Sequence, residues 1–221
     1  MRAGGDPQHK ALVRVAGIPM LDRNLMALRG YRFHDIAISV NRRETELTRH
    51  IERLAHDTRF AQMAIRTVVE TKPLGTIGAA RVAHRGSGPL LVVNADNLTL
   101  LDLRAFVEHH VQRRAAMTIA SHDESMRLAF GELRVESGDV LEYLEKPVHR
   151  YRVSSGTYVL GPDAIALIEA DESIGIPALF ERVRAHGLRV SEYFHQAPWI
   201  DVNDRESVRR ADEMVASWSV P

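Results

Sequence analysis

The sequence predicts an α/β fold in which a mostly parallel sheet is flanked by helices and carries a small antiparallel β extension. Short apolar runs alternate with amphipathic segments up to about residue 120, which is typical of strands joined by helical crossovers. Beyond that point two short runs flank a turn that contains Gly138 and Asp139, a pattern that favours a hairpin. Helical patterns return toward the carboxyl terminus, so the second half continues the same sheet.

The individual elements follow from the spacing of apolar residues. Apolar runs predict strands at 36–40, 65–69, 90–93, 116–120 and 157–160, and hairpin strands at 131–135 and 140–144. Helical spacing predicts helices at 44–56, around 103–110, and at 163–169, 177–186 and 205–215. No repeat, low-complexity tract or long linker interrupts the pattern, which indicates a single domain over residues 1–221.

The composition excludes several classes of protein. The 221 residues carry 29 Lys and Arg against 29 Asp and Glu, so the formal net charge is zero. Neither a nucleic acid nor a membrane surface is therefore expected as a partner. There is no cysteine, which excludes disulfides and thiolate metal sites and is typical of a cytoplasmic protein. No apolar run reaches membrane-spanning length, and the first residues lack the apolar core of a signal peptide.

The most informative stretch is the apolar run 90–93, which is followed by Asn94, Ala95 and Asp96. Such a run predicts a strand buried on both faces. A carboxylate at the end of this strand is costly unless something pairs with it, and ligands of open α/β sheets bind at the carboxyl ends of strands. Asp96 is thus a candidate ligand of a metal ion. The alternative is an Asp that caps the next helix.

A glycine-containing loop follows the strand predicted at 65–69. It runs from Glu70 through Pro73, Gly75, Thr76 and Gly78 and opens a helix. Pro73 stiffens the loop, Gly75 sharpens it, Gly78 lets another backbone or a flat ring approach closely, and Thr76 is expected to cap the helix. An ordinary β–α loop is the alternative.

Two further segments carry charged residues at strand ends. Glu145 and Lys146 follow the second hairpin strand, where an ordinary surface pair is the alternative. Asp201 ends the short run that begins at Trp199. Two carboxylates from different strands that meet at one sheet edge suit a Mg²⁺ ion, whose remaining ligands are waters and phosphates.

Taken together and in this order, the segments resemble the sugar-1-phosphate nucleotidyltransferase family. Residues 10–20 resemble the stretch after the family's glycine-rich loop, 70–78 resemble its base-recognising loop, and 94–96 resemble its Asn-x-Asp metal motif. Gly131 with 145–147 resembles its sugar-binding region, 155–158 resemble its Gly-x-Tyr strand, and 199–201 resemble the segment with its second metal aspartate. Each motif is weak alone, but the resemblance covers nearly the whole chain.

The resemblance implies a Rossmann-like, GT-A-like nucleotidyltransferase fold, Mg²⁺ as cofactor, an NTP and a sugar 1-phosphate as substrates, and a homo-oligomer. Residues 1–120 would form the nucleotide-binding half and 121–221 the sugar-binding half. The implied catalytic residues are Lys10, Asp96, Lys146 and Asp201, of which Asp96 and Asp201 hold the metal. The implied nucleotide-binding residues are Gly4, Gly5, Lys10, Glu70, Pro73, Gly75, Thr76, Gly78 and Asn94. The implied sugar-phosphate-binding residues are Gly131, Glu145, Lys146 and Gly156.

The resemblance also suggests which nucleobase is bound and which family segment would precede the first residues. Glu70 stands where thymidylyl members carry Gln, and a carboxylate accepts the N1–H and 2-amino donors of guanine, which favours GTP. Family members begin with a strand and a Gly-x-Gly-Thr-Arg loop that precede the first residues here. Without that strand a gap is expected in the centre of the sheet. Asn203 replaces a family glycine, and Asn tolerates left-handed backbone.

Other functions stay open on the sequence. A glycosyltransferase with a related sheet would carry Asp-x-Asp where this chain has Asn94, Ala95 and Asp96. A non-catalytic homologue that binds a nucleotide or a sugar phosphate is the second alternative, since the first strand is missing. The eleven histidines are scattered, so we expect them on the surface or in ordinary packing and not as metal ligands.

Overall fold

The structure is a computed structural model that describes residues 9–218. Its first part comprises β1 (Arg14–Val15), β2 (Ile18–Pro19), α1 (Met20–Gly30), β3 (Asp35–Asn41), α2 (Thr45–Leu54), β4 (Ala64–Glu70), α3 (Ala80–Ala83), β5 (Leu90–Val93), β6 (Asn97–Thr99) and α4 (Leu103–Arg113). The remainder comprises β7 (Met117–Arg127), β8 (Glu132–Glu136), β9 (Asp139–Leu144), β10 (Val148–Leu160), α5 (Pro162–Ala166), α6 (Ile176–Ala185), β11 (Val190–Phe194), β12 (Trp199–Asp201) and α7 (Arg205–Ala216).

Six strands form the body of the fold. Four of them lie in the order β11–β7–β10–β5, in which β7 is parallel to β11 and β10 is antiparallel to both β7 and β5. Strands β3 and β4 form a separate parallel pair. His9 contacts Glu44 just beyond the end of β3, and the next residue, Lys10, contacts Asp96 just beyond the end of β5. Strands β3 and β5 therefore end at the same edge, so β10 alone among these six runs in the opposite direction, which confirms a mostly parallel arrangement.

The helices cover this body through their apolar faces. Helix α2 buries Leu47, Ile51 and Leu54 at the spacing expected for one face. One large core lies beneath α5 and α6, and another lies between α1, α2 and β3. The mixed α/β architecture that the sequence predicts is thus confirmed.

The body of the sheet is interrupted between β3 and β5. These two strands do not pair with each other, and a cavity of about 490 Å³, lined by residues of both strands, lies between them. We call this cavity the slot; it is the gap expected in the centre of the sheet. The prediction that 90–93 is buried on both faces is wrong, because all four residues of β5 are only partly buried, and the slot leaves the outer edge of β5 uncovered.

Strands β7 and β10 extend well beyond the predicted runs 116–120 and 157–160. They pair antiparallel from Val148 opposite Arg127 to Leu160 opposite Met117. Their outer parts are mostly exposed, so no apolar run marks them in the sequence. With the hairpin β8–β9 they form an antiparallel extension, which we call the arm. Ser137 and Gly138 have positive φ in the hairpin turn, as a tight hairpin requires.

Two expectations about helix caps are settled by the positions of the helices. Asp102, and not Asp96, caps α4 by accepting hydrogen bonds from the N–H groups of Arg104 and Ala105. Asp96 is followed by β6, which excludes the capping interpretation of that residue. The expected cap by Thr76 is wrong, because α3 begins at Ala80 and its N-terminal boundary residue is Ala79, with no side-chain cap.

Candidate active site

Asp96 and Asp201 converge at the carboxyl edge of the sheet. Asp96 follows β5, while Asp201 ends β12, which pairs antiparallel with β6 so that Asp201 lies opposite Asn97. The N–H of Val202 donates a hydrogen bond of 2.9 Å to the carbonyl oxygen of Asp96. Two residues that are 105 positions apart in the sequence are thereby held side by side.

Lys10 and Asn203 link the two carboxylates. Lys10 Nζ lies 3.3 Å from Asp96 Oδ2 and donates to Asn203 Oδ1 at 2.8 Å. Asn203 Nδ2 in turn donates to Asp201 Oδ2 at 2.5 Å. We call Lys10, Asp96, Asp201 and Asn203 the acidic cluster. The Lys10 side chain is more exposed than that of Asp96, with 61% of its surface accessible against 26%.

The electrostatics of the acidic cluster suit a cation. Burial raises the pKa of Asp201, the negative charge of Asp96 raises it further, and the hydrogen bond from Asn203 and the charge of Lys10 act in the opposite direction. Asp201 Oδ1 is buried and lacks a hydrogen-bond partner among residues 9–218. A divalent ion between the carboxylates would satisfy that oxygen and remove the repulsion. Within the same residues no group of three or more His, Cys, Asp or Glu could hold a metal, so the two aspartates would need phosphate and water as further ligands.

Asn203 departs from the expectation in a useful way. The sequence suggests that Asn replaces glycine because Asn tolerates left-handed backbone, but Asn203 is not among the residues of positive φ. Its side chain instead bridges Lys10 and Asp201. Sequence reasoning missed this role; the only signal was a polar residue two positions after an aspartate at a strand end.

The Glu70 carboxylate braces the loop that follows β4. Its Oε1 accepts a hydrogen bond from Ser39 Oγ at 2.6 Å, and its Oε2 accepts one from the Leu74 N–H at 3.0 Å. The side chain thus ties the loop to the carboxyl end of β3. Both carboxylate oxygens already have a protein partner, so base recognition by Glu70 would rely on their remaining lone pairs.

The two loop glycines allow the segment around Ile174 to pack against the loop. A Cβ at Gly75, whose φ is +70°, would lie 2.6 Å from the Ile174 carbonyl oxygen. A Cβ at Gly78 would overlap the Glu172 carbonyl oxygen. The expectation that Gly78 admits another backbone is therefore confirmed. Pro73 and Thr76 are exposed on the same loop.

Gly156 lies directly against Asn94. It sits with φ of +68° where the pairing of β10 with β7 shifts register, and its carbonyl oxygen accepts the Asn94 N–H at 3.0 Å. A Cβ here would overlap Asn97 Nδ2 and would lie 2.8 Å from Asn94 Nδ2. Only glycine fits at this position, and it connects β10 to the edge that carries Asp96.

The arm carries three of the predicted site residues, which are Gly131, Glu145 and Lys146. A Cβ at Gly131 would overlap the hydroxyl of Tyr143, which donates to Glu145 Oε2 at 3.1 Å. Lys146 Nζ lies 4.0 Å from Glu145 Oε1, and both side chains are more than half exposed. In the part of the chain that the structure describes, neither Glu145 nor Lys146 pairs with a member of the acidic cluster.

Three buried polar side chains behind the site escaped sequence reasoning. Ser155 Oγ lies 2.8 Å from both His122 Nδ1 and His195 Nε2, and all three residues are buried. The Ser155 carbonyl oxygen accepts hydrogen bonds from Asn97 Nδ2 and from Trp199 Nε1. These histidines are packing residues, as expected, and they tie β10 to β7 and to the residue that follows β11. The bond from Trp199 is the one that ties β10 to β12, the strand that carries Asp201. The scattered positions of the histidines in the sequence do not predict these contacts.

The predicted nucleotide-binding residues Gly4 and Gly5 lie outside the described residues.

Comparison with known proteins finds relatives of this chain among guanylyltransferases. The mannose-1-phosphate guanyltransferase of Eremothecium gossypii is 27% identical over 206 residues, which cover 87% of this chain and 55% of that protein. The D-glycero-alpha-D-manno-heptose 1-phosphate guanylyltransferase of Aneurinibacillus thermoaerophilus is 23% identical over 158 residues, 70% of this chain and 69% of that protein. The chain thus spans about half the length of the fungal mannose-1-phosphate guanyltransferases it matches.

Solved structures share the fold. The crystal structure of HddC from Yersinia pseudotuberculosis superposes with a TM-score of 0.71 at 22% identity, covering 97% of this chain and 92% of that chain; a second HddC structure is complexed with GMP-PN. No helix among residues 9–218 is long and apolar enough to cross a bilayer. The sequence pattern of the nucleotidyl transferase family matches residues 6–217, and the chain belongs to that family.

Proposed function

We propose that the chain is a sugar-1-phosphate nucleotidyltransferase that joins an NTP, with GTP preferred, to a sugar 1-phosphate and releases pyrophosphate. The observation that carries this proposal is the acidic cluster. Two aspartates from distant strands lie side by side at the carboxyl edge of the sheet, one with a buried carboxylate oxygen that lacks a partner among the described residues, and a lysine lies beside them. This arrangement suits the phosphates of a nucleotide better than any neutral ligand.

In the proposed reaction, a phosphate oxygen of the sugar 1-phosphate attacks the α-phosphorus of the NTP in line. A new P–O bond forms, the bond to the β-phosphate oxygen breaks, and pyrophosphate leaves with the electron pair. No covalent intermediate with the protein is needed. The protein acts by positioning the two phosphates and by offsetting their charge.

We propose one role for each candidate residue. Lys10 would leave Asp96 and contact the phosphates of the NTP, and Asn203 would keep it oriented. The loop from Glu70 to Gly78 would hold the base, and Asn94 would face the nucleotide above Gly156. Glu145 and Lys146 would hold a hydroxyl and the phosphate of the sugar, near Gly131. Pro73, Gly75 and Thr76 would shape the nucleotide loop. Gly4 and Gly5, which lie outside the described residues, would bind the phosphates of the NTP as a remnant of the family's glycine-rich loop.

Asp96 and Asp201 would hold a Mg²⁺ ion, which supplies Lewis-acid stabilisation of negative charge on the phosphates when bound. The donor set fits a hard cation because both groups are carboxylates. The preference for GTP is supported by the guanyltransferases among the relatives. It draws less from Glu70, since both of its oxygens already accept hydrogen bonds. We further propose one domain with halves 1–120 and 121–221, a cytoplasmic location and a homo-oligomeric state.

The test is pyrophosphate release from each of the four NTPs with mannose, heptose and glucose 1-phosphates, measured with Mg²⁺ and with a chelator. We expect release that depends on both substrates and on Mg²⁺ and is fastest with GTP. Release with UTP or dTTP as the best substrate would contradict the GTP preference alone. Absence of release from every pair by a folded protein would contradict the enzyme.

A second candidate function is non-catalytic binding of a nucleotide or a sugar phosphate. The slot favours it, because the sheet that positions the acidic cluster is interrupted beside Asn94. Isothermal titration of GTP and of each sugar phosphate distinguishes the two candidates. Binding without turnover, in a chain that keeps its fold, supports the binding protein and contradicts the transferase.

A further inference from the structure

Strand β10 contains a bulge where it passes the edge that carries Asp96. Its pairing with β7 is interrupted between Ser154 and Tyr158. Ser155 lies within this interruption, next to Gly156, whose φ is +68°. Bulges of this kind turn main-chain groups out of the ladder and are frequent beside active sites. The main chain of Ser155 is thus outside the ladder with β7.

The carbonyl oxygen of Ser155 holds both of the strands that carry the aspartates of the acidic cluster. Asn97 Nδ2 donates to it at 2.9 Å, and Trp199 Nε1 donates to it at 2.7 Å. Asn97 begins β6 directly after Asp96, and Trp199 begins β12, the strand that Asp201 ends. Among the described strands, β6 and β12 pair only with each other. One acceptor thus ties this two-stranded unit to β10.

The hydroxyl of Ser155 is held by two imidazole rings. Its Oγ lies 2.8 Å from both His122 Nδ1 and His195 Nε2. A serine hydroxyl carries one proton and can also accept, so it donates to one ring and accepts from the other. His122 belongs to β7, and the N–H of His195 donates to the carbonyl oxygen of Ser121 in the same strand at 2.9 Å. Both rings are therefore anchored to β7.

Burial makes these contacts of Ser155 difficult to replace. Ser155 is completely buried, and His122 and His195 are nearly so. The ring of His122 also packs on Trp199, with the ring centroids 4.4 Å apart, so the imidazole that bonds the hydroxyl supports the indole that bonds the carbonyl oxygen. Polar groups that lose a partner in a buried place are costly, because water does not replace it. Removal of the hydroxyl would therefore release the bulge.

We propose that Ser155 is a positioning residue for the acidic cluster: its hydroxyl, held by His122 and His195, fixes the bulge, and its carbonyl oxygen then fixes β6 and β12. Ser155 acts on the two aspartates only through the strands that carry them. The kinetic consequence of this role rests on the proposed function. The effect of Ser155 on Trp199 does not rest on it, so the two proposals can fail separately.

The experiment compares Ser155→Ala with Ser191→Ala. Ser191 is also a buried serine beside a histidine, since its Oγ lies 3.2 Å from His109 Nε2, but it belongs to β11. NMR follows hydrogen exchange at the indole N–H groups of the two tryptophans, which Trp218→Phe assigns. We expect Ser155→Ala to speed exchange at Trp199 by about tenfold or more, because the acceptor of this N–H is no longer held. Ser191→Ala should leave that rate unchanged.

The indole of Trp218 is the internal control. Its Nε1 is buried and has no hydrogen-bond partner among residues 9–218, and its exchange should be equal in the two variants. Faster exchange at both indoles in Ser155→Ala would indicate a general loss of stability and would overturn the proposal. Unchanged exchange at Trp199 in Ser155→Ala would also overturn it.

A second pair of variants decides the question if Ser155→Ala does not fold. His195→Leu removes one bond to the Ser155 hydroxyl, whereas the side-chain amide introduced by His195→Gln can still form it. We expect faster exchange at Trp199 in the Leu variant and the parent rate in the Gln variant. Equal exchange at Trp199 in these two variants would contradict the role of the hydroxyl.

Pyrophosphate release supplies the kinetic measurement. Ser155→Ala should lower kcat by about tenfold to a hundredfold, because small displacements of reacting groups have effects of this size. It should also raise the Mg²⁺ concentration that gives half-maximal rate, while Ser191→Ala keeps both parent values. A parent kcat together with faster exchange at Trp199 would overturn the coupling of Ser155 to the acidic cluster. If the parent releases no pyrophosphate, the proposed function fails, and the exchange experiment alone decides whether Ser155 holds β12.

Discussion

The acidic cluster and the arm are the two regions in which candidate site residues gather, and the structure holds them very differently. Lys10, Asp96, Asp201 and Asn203 are linked by hydrogen bonds, and a main-chain bond joins the segments that carry the two aspartates. On the arm, Lys146 Nζ lies 4.0 Å from Oε1 of its neighbour Glu145, and the Lys146 side chain is 56% exposed.

This difference teaches which part of the site the fold organises before any ligand binds. The acidic cluster is positioned by strands β5, β6 and β12, so its geometry is present without substrate. The side chains of Glu145 and Lys146 are exposed, and among the described residues no hydrogen bond joins them to the acidic cluster. Substitutions in the acidic cluster should therefore affect the chemical step, and substitutions on the arm should affect substrate binding.

The largest effect is expected from Asp201→Asn and from Asp96→Asn. Each removes a charge at the site of phosphate transfer, and loss of such a group typically lowers kcat by about 10²–10³-fold. The amide introduced by Asp201→Asn keeps an oxygen that accepts from Asn203, so the fold should be retained. Pyrophosphate release under saturating substrate measures the effect.

Asp163→Asn is the matched control for these two variants, since Asp163 is an exposed aspartate in the first turn of α5. It should keep the parent rate. A kcat for Asp201→Asn within a few-fold of the parent, at unchanged Tm, would contradict the role of the acidic cluster.

A smaller effect is expected from Lys146→Gln on the arm. A charged hydrogen bond to phosphate contributes about 1.5–3 kcal/mol, so KM for the sugar 1-phosphate should rise by roughly tenfold or more while kcat changes little. The Tm should not change, because an exposed ion pair such as Lys146–Glu145 contributes almost nothing to stability.

Arg134→Gln on strand β8 of the same hairpin provides the control for general loss of positive charge on the arm. Its KM should equal that of the parent. If Lys146→Gln instead lowered kcat at constant KM, the arm would act on the chemical step, and the contrast between the two regions would be wrong.

Much of the fold could be predicted from the sequence because its signals are local. The apolar run 90–93 coincides with β5, and the spacing of Leu47, Ile51 and Leu54 marks the buried face of α2. The outer parts of β7 and β10 could not be predicted, since they are exposed and polar and are strands only because they pair with each other. When a strand forms only because it pairs with a distant segment, its own sequence need not show an alternation of apolar and polar residues.

The candidate site divides in the same way. Asp96 and Asp201 could be predicted because each ends an apolar run, and the family resemblance joins them. The bridge through Asn203 could not, because it depends on where Lys10 lies after folding. The hydrogen bonds of Ser155 with His122 and His195 could not be predicted either, since these single polar residues lie on three different segments that meet only in the folded chain.

The smallest expected effect is a pH dependence that belongs to Asp201 and not to the arm. Burial and the charge of Asp96 raise the pKa of Asp201 in the folded chain above the value of about 3.9 in an unfolded chain. Between those two pKa values the folded state binds more protons than the unfolded state, so without metal the free energy of unfolding falls as pH rises through this window. Metal binding has the opposite dependence, because only the carboxylate is a ligand.

Thermal unfolding of the parent and of Asp201→Asn, from pH 3.5 to pH 7 in the presence of a chelator, measures the first dependence. The Tm of the variant relative to the parent should increase with pH across the window and then level off, since the amide side chain of the variant has no proton to lose in this range. Addition of Mg²⁺ at pH 7 should raise the Tm of the parent but not that of the variant. A Tm difference that is flat with pH, together with an equal response to Mg²⁺, would mean that Asp201 neither titrates above its ordinary range nor holds the ion, and the acidic cluster would then differ from the arm only in its hydrogen bonds.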